Sequence, residues 1–213
     1  MKVIFYRHLP TKNNLNNVFI GRLDIECDAE FIQKNRTLID ETMRKYSFAH
    51  YYSSPLKRAR QSAEIFFPNK VHVFDRRLIE RDLGDWKNVP KCIIKEKHPT
   101  AFFPNGILDF SFTPPHGEPF EAVLRRVASF LLDLNDNHDE GDNIAVITHN
   151  GIITAVKCLL AQTTSTERIE FQPFLQEFVL EMTPLFLDYI ETIFSASLST
   201  RAESSAVSFP QRT

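Results

Sequence analysis

The chain has 213 residues, of which 43% are hydrophobic and 24% charged, a globular balance that excludes wholesale disorder and suits one domain with a well-buried core. Lys and Arg number 25 against 27 Asp and Glu, a formal net charge of −2, so no global positive field draws the chain to nucleic acid or to an anionic membrane. No apolar run approaches the roughly 18 residues that span a bilayer, and MKVIFYRHLP is too short an apolar stretch for a secretory signal, so a cytoplasmic location is expected.

In chain order, residues 2–6 (KVIFY) read as a first strand. Further strands are expected at 49–53, 71–74, 143–148 and 178–181. Between the first two, Phe31, Ile32, Leu38, Ile39, Thr42, Met43 and Tyr46 share one face of a 3.6-residue period, which predicts one amphipathic helix with Asp28 as its N-cap. A second helix is expected from Pro55 to Phe67, stopped by Pro68. A third runs from about Glu118 to Leu134, its apolar residues at i, i+3, i+4 and i+7. Residues 86–116 carry Pro90, Pro99, Pro104, Pro114 and Pro115 with little periodicity, and are expected to make a long excursion over one face.

The strand at 143–148 runs through Gly151 into the apolar helical segment IITAVKCLLA. Such alternation predicts a three-layer α/β/α sandwich on a mostly parallel sheet, the domain covering residues 1–183. Thr183 and Pro184 then open an amphipathic helix over 184–198 whose stripe suits either its own domain or a second copy, so a homo-oligomer is one expectation. The Ser/Ala/Arg-rich tail from Ser199 is expected to be disordered. Cys27, Cys92 and Cys158 form neither an even disulfide set nor a CxxC pair; they are expected as free, half-buried thiols without structural zinc.

Two of these strands end in histidine, at Arg7-His8 and at His149-Asn150-Gly151. In a parallel α/β sheet ligands bind outside the carboxyl ends of strands, which would bring both imidazoles to one crevice. Taken alone, an Arg-His pair is commonplace, and a strand-terminal histidine is often satisfied by backbone; the second histidine is what gives the pair weight. Gly151 suits a sharp strand-to-helix turn whose free N–H groups cradle an anion. Arg58 falls in the first turn of a helix, against the helix dipole, a misfit that a bound anion relieves; Lys57 and Arg60 read as solvated surface. In LIERDLGDW either Glu80 or Asp82 could supply a proton, although such a cluster commonly pairs with its own Arg76, Arg77 and Arg81.

These blocks together resemble the histidine phosphatase superfamily, the group that includes cofactor-dependent phosphoglycerate mutase, over roughly residues 2–182. The resemblance rests on Arg7-His8 with Asn14 seven places after the Arg, Gly21-x-x-Asp24, Ser53 to Ala59 as Ser-Ser-Pro-Leu-x-Arg-Ala, Leu78 to Trp86 as Leu-x-Glu-x-x-x-Gly-x-Trp, Gly117-Glu118, and His149-Asn150-Gly151. Three positions depart from the family pattern. Leu9 and Asn150 replace glycines where a side chain would crowd phosphate, and Thr154 stands where many members carry Arg.

The resemblance implies a phosphatase for a small-molecule phosphate monoester, similar to the α-ribazole phosphatases, in which His8 becomes a phosphohistidine. It also implies that Arg7, Asn14, Arg58 and His149 hold the phosphoryl oxygens. Arg7 and Arg58 would keep His8 unprotonated by charge repulsion. Glu80 is the expected general acid with Asp82 in reserve. No cofactor and no metal are implied, and the expected partner is a phosphorylated small molecule. A phosphoglycerate mutase-type transfer, a weakened phosphate-binding pseudoenzyme and a metallohydrolase using His8, His149, Glu80 and Asp82 are the alternatives; Arg7 and Arg58 would repel the cation of the last. The aromatics Trp86, Phe102, Phe103, Phe110 and Phe112 are expected either to line a pocket for an apolar or planar leaving group or to form the excursion's own small core.

Overall fold

The structure, a computed structural model, describes residues 1–193. Five strands form one sheet: β1 (Lys2–Arg7), β2 (His50–Ser53), β3 (Val73–Phe74), β4 (Asn143–Thr148) and β5 (Glu177–Glu181), in the order β3-β2-β4-β1-β5. Every neighbouring pair is parallel except β1 and β5. The central β1 and β4 are near-continuous apolar runs because both faces are covered, as parallel strands require. In β1, Val3, Ile4 and Phe5 have no exposed surface.

The sheet divides the core in two. On one face Val3, Phe5, Ile144 and Val146 meet α6 (Phe120–Asn137) through Val123, Val127 and Leu131, and α7 (Asn150–Leu160) through Ile152, Ile153 and Val156. On the other, Ile4, Tyr6, Ala145 and Ile147 pack with Ile39 and Met43 of α3 (Arg36–Met43) and with Ala59, Ala63 and Phe66 of α4 (Lys57–Phe66). This is the expected three-layer α/β/α arrangement. Residues 184–193 are helical, and Phe186 and Ile190 join the first of these clusters, so this helix docks on its own domain. The rest of the expected helix to 198, and the tail from Ser199, lie outside the described residues.

Several local expectations need correction. The single helix expected after Asp28 is two, α2 (Ala29–Lys34) and α3, parted at Asn35, whose backbone (φ −110, ψ 14) leaves the helical region while its Nδ2 donates to Phe31 O at 2.8 Å. Asp28 caps α2 as expected, accepting from Phe31 N at 2.7 Å. The strand expected at 71–74 shrinks to Val73–Phe74, the two residues that pair with Tyr52 and Ser53 of β2, and Val71 is 86% exposed. The helix expected from Pro55 starts at Lys57, where Asp24 Oδ1 accepts from Lys57 N at 2.6 Å. Residues 12–15, not foreseen as helix, form the one-turn α1 (Lys12–Leu15), closed by a capping box between Thr11 and Asn14.

The 86–116 excursion carries α5 (Lys91–Lys97) and has a small core of its own, in which Trp86 packs with Phe19, Leu83, Ile94 and Ala101. The Trp86 ring stacks on Phe112 at 5.4 Å and 13°, an offset aromatic contact of the kind that contributes about 0.5–1.5 kcal/mol beyond its burial. The cysteines are free, as expected, but only Cys27 is half-buried; Cys92 is exposed and Cys158 buried. Among the described residues no helix is long and apolar enough to cross a membrane.

Candidate active site

The carboxyl ends of β1, β2 and β4 face the same way, and each delivers a pair of buried polar residues, its last residue and the one that follows: Arg7 and His8, Ser53 and Ser54, Thr148 and His149. The two imidazoles meet, with His8 and His149 ring centroids 5.1 Å apart. A cavity of about 340 Å³ opens beside them, lined by Arg7, His8, Asn14, Arg58, Glu80, Asn150 and Gly151 among others. His149 is fully buried behind this lining.

A hydrogen bond to a carbonyl assigns the proton on the His8 ring. His8 Nδ1 is 2.6 Å from Leu9 O; a carbonyl only accepts, so Nδ1 carries the proton and Nε2 keeps its lone pair. That lone pair receives Arg58 Nε at 3.2 Å. His149 Nε2 lies 2.7 Å from Ser54 Oγ, which already accepts from Leu56 N at 3.3 Å. His149 Nδ1 is a buried atom with no protein partner. Burial first, then Arg58 and Arg7, pushes the His8 pKa well below its ordinary value. Burial first, then Arg58, does the same for His149. Both rings are neutral at pH 7.

The guanidiniums are fixed just as firmly. Arg58 donates to Leu23 O at 2.7 Å and to Gly21 O at 2.8 Å, which gives the Gly21-x-x-Asp24 motif its structural meaning: one end holds Arg58, the other the start of α4. Arg7 donates to Gln172 O at 3.1 Å and lies under two aromatic rings, its guanidinium carbon 3.8 Å from the Phe174 centroid and 4.5 Å from that of Phe171. Burial lowers the Arg7 pKa to about 9 and that of Arg58 to about 10, so both stay cationic at neutral pH. Arg7 Nε and Arg81 Nη1 are buried donors without a protein acceptor, and Arg81 also lines the cavity.

Glu80 reaches the N-terminus of α7, its Oε1 accepting from Arg81 N at 2.8 Å and its Oε2 from Gly151 N at 3.3 Å. This explains Gly151 differently from the turn expected of it: a Cβ there would lie 2.2 Å from Glu80 Oε1. Asp82 is not part of the cavity wall; it accepts from Gly84 N at 2.9 Å and pairs with Lys87 at 3.2 Å. Asn14 lines the cavity with its Oδ1 already engaged by Thr11 N and Thr11 Oγ1, each at 3.0 Å.

The departures crowd the site less than their size implies. Leu9 turns away into the core with no exposed surface. Asn150 accepts from Gln172 N at 2.9 Å, which ties the 171–174 segment to the site. Thr154 lines the cavity. Trp86 and Phe112 belong to the excursion's small core, Phe110 lines the cavity with Ile107, and Phe102 and Leu108 do both, packing on that core and lining the cavity. Ser54, Gln172, Phe171 and Phe174 were not singled out from the sequence. Only Ser54, beside a strand end, had a positional signal; the others act through contacts with no sequence period.

The chain and its fold are similar to those of known proteins. The chain is 29% identical over 160 residues to phosphoglycerate mutase-like protein 4 of Arabidopsis thaliana, covering 73% of this chain and 69% of that one. The fold is similar to that of mycobacterial glucosyl-3-phosphoglycerate phosphatase solved with VO3 (TM-score 0.73, 22% identity, 84% of this chain and 92% of that one). It is similar also to the α-ribazole phosphatase of Shigella flexneri (TM-score 0.69, 19% identity, 86% and 92%). A sequence profile matches residues 3–176, and with that span and this arrangement of side chains the chain belongs to the histidine phosphatase superfamily (branch 1).

Proposed function

We propose that the protein hydrolyses a small-molecule phosphate monoester through a phosphohistidine at His8 Nε2. The observation that carries this reading is a desolvated imidazole with its proton held on Nδ1 and its Nε2 lone pair turned to Arg58, in a cavity that Arg7 also lines. In the first step Nε2 attacks phosphorus as the ester P–O bond breaks, and Glu80 gives its proton to the leaving oxygen. In the second, the Glu80 carboxylate takes a proton from water, whose oxygen bonds to phosphorus as the Nε2–P bond breaks. Inorganic phosphate leaves and the ring is restored.

Arg7 and Arg58 offset charge spread over the equatorial oxygens, and each such donor is worth about 10²- to 10³-fold in rate. Their charge is what a divalent cation would otherwise contribute, so the route runs without metal. Asn14, whose Oδ1 is committed to Thr11, presents its amide N–H to the same oxygens, and in this reading the partnerless His149 Nδ1 carries a proton and donates behind them.

Beyond the phosphate the wall is apolar, made by Phe102, Ile107, Leu108, Phe110 and Ile169, with Lys91 the one lysine of the excursion that lines it. A leaving group with an apolar or planar body fits this wall, and the scarcity of outer cations favours water over a second phosphorylated acceptor. The only partner this reading requires is the phosphorylated small molecule. A panel of phosphorylated metabolites assayed for phosphate release in the presence of a chelator tests it, beside a coupled mutase assay with 3-phosphoglycerate. Release that disappears in His8→Ala is expected. Mutase turnover without release, release that His8→Ala retains, or no release from any ester would overturn the reading.

A further inference from the structure

The end of the sheet remote from the cavity carries a second group of ligand-type side chains. The parallel strands send their carboxyl ends to the site, whereas His50 opens β2, Asp142 directly precedes β4 and His138 caps the end of α6. One donor atom from each of these three residues lies within 4.8 Å of the other two, and all three are partly buried. The His50 and His138 rings lie against each other at a tilt, 4.1 Å between centroids and 36° between planes. His50 Nε2 is 3.5 Å from Asp142 Oδ2.

The group is also held from outside. The Tyr52 hydroxyl is 2.8 Å from His138 Nε2, and the backbone N–H of Asp139 donates to Asp142 Oδ2 at 3.2 Å. Such outer hydrogen bonds orient metal-binding rings and carboxylates. Two nitrogen donors and a carboxylate are the set favoured by zinc and its neighbours in the first transition row, with room for a water as fourth ligand.

We propose that His50, His138 and Asp142 form a binding site for one divalent transition-metal ion, Zn²⁺ being the best match, with Tyr52 as a positioning residue. The ion would tie the start of β2 to the distant connection between the end of α6 and the start of β4. It lies away from the phosphate cavity and is independent of the activity proposed above. Ligation at about 2.0–2.2 Å requires the three side chains to close in by rotation.

Titration of chelator-treated, dialysed full-length protein with Zn²⁺ by calorimetry, and with Co²⁺ by visible absorption, tests the site. One Zn²⁺ per chain and the intense Co²⁺ bands of tetrahedral coordination are expected. His50→Ala and Asp142→Asn should each weaken binding by about a hundredfold or abolish it, and Tyr52→Phe by about tenfold. Phosphate release by His50→Ala should equal that of the parent. The side chain of His50 is 43% exposed, so this variant keeps the fold and decides the matter even where others fail to fold. Failure to bind Zn²⁺, or stoichiometric Zn²⁺ binding that His50→Ala retains, would overturn the proposal.

Discussion

Replacing Gly151 by alanine displaces the proposed general acid without altering any ionisable group. The new Cβ would lie 2.2 Å from Glu80 Oε1 and 3.2 Å from the Glu80 carboxyl carbon, so the carboxylate must withdraw by about 1 Å to reach ordinary contact distance. The 3.3 Å hydrogen bond from Gly151 N to Glu80 Oε2 is lost with it. Gly151 lies in the first turn of α7 and its φ is not left-handed, so alanine removes backbone entropy from the unfolded chain at no cost in local conformation, a gain of roughly 0.5–1 kcal/mol. Because the displaced atoms end a flexible side chain, stability should change by no more than about 1 kcal/mol. The rate should change far more, by about 10²- to 10⁴-fold for an alkyl phosphate, whose poor leaving group needs the proton. An aryl phosphate, whose phenolate departs unaided, should be nearly unaffected. The assay compares kcat/KM, which reports the steps through phosphoenzyme formation, for the two ester types in parent and variant, alongside thermal melting. Equal losses on both esters, or full activity on the alkyl ester, would refute the role given to Glu80.

Further outcomes follow from the same contacts. Arg58→Lys keeps the charge but cannot serve Leu23 O, Gly21 O and His8 Nε2 together. Phosphate release should fall by about 10²- to 10³-fold, with a stability loss of about 1–3 kcal/mol from unpaired buried acceptors in urea unfolding. Retention of either would contradict the account. Glu80→Gln should slow alkyl-ester turnover by about 10²- to 10⁴-fold while Asp82→Asn, outside the cavity wall, leaves it nearly intact; the reverse pattern in kcat/KM would restore Asp82 as the acid. Stability should also fall on acidification. His8 and His149 stay neutral in the folded chain because burial and Arg58 depress their pKa values, whereas the unfolded chain protonates them below about pH 6.5. The unfolded state then binds more protons, so this stability is fully present above about pH 6.5 and is lost as pH falls below it. His138 contributes in the same sense. Urea midpoints measured from about pH 7.5 down to about pH 5 should decline; a midpoint that rises would contradict the burial of neutral imidazoles.

Much of the site was legible because parallel strands impose a direction. KVIFYR and NIAVIT must both lie in the sheet interior, so the residues that follow them, His8 and His149, emerge at the same end. Arg58 and Glu80 were readable from motif order, and the structure supplies the contacts that motif order cannot: Gly21 O and Leu23 O for one, Gly151 N for the other. Reading failed where the chain reverses or a side chain turns. The apolar period of 31–46 continues across Asn35, so it could not reveal that the helix breaks there. Leu9 looked like an obstruction beside His8, but it follows the end of β1, and its side chain leaves the strand's alternation to join the core with Ile39 and Ala59. Asp82 and Glu80 were indistinguishable in composition; being two apart on an irregular segment, one faces Gly151 and the other Lys87. The cover that Phe171 and Phe174 place over Arg7 is a contact between residues far apart in sequence, with no local pattern to announce it.

The central claim is that phosphorus becomes bonded to His8 Nε2 during turnover. Rapid mixing with a labelled phosphate monoester, quenched in denaturant at alkaline pH because the N–P bond is acid-labile, and followed by peptide mapping, measures this directly. The account predicts one phosphoryl group on the peptide containing His8, absent from His8→Ala. A phosphoryl group on another residue, or turnover with no labelled intermediate at any mixing time, would contradict it.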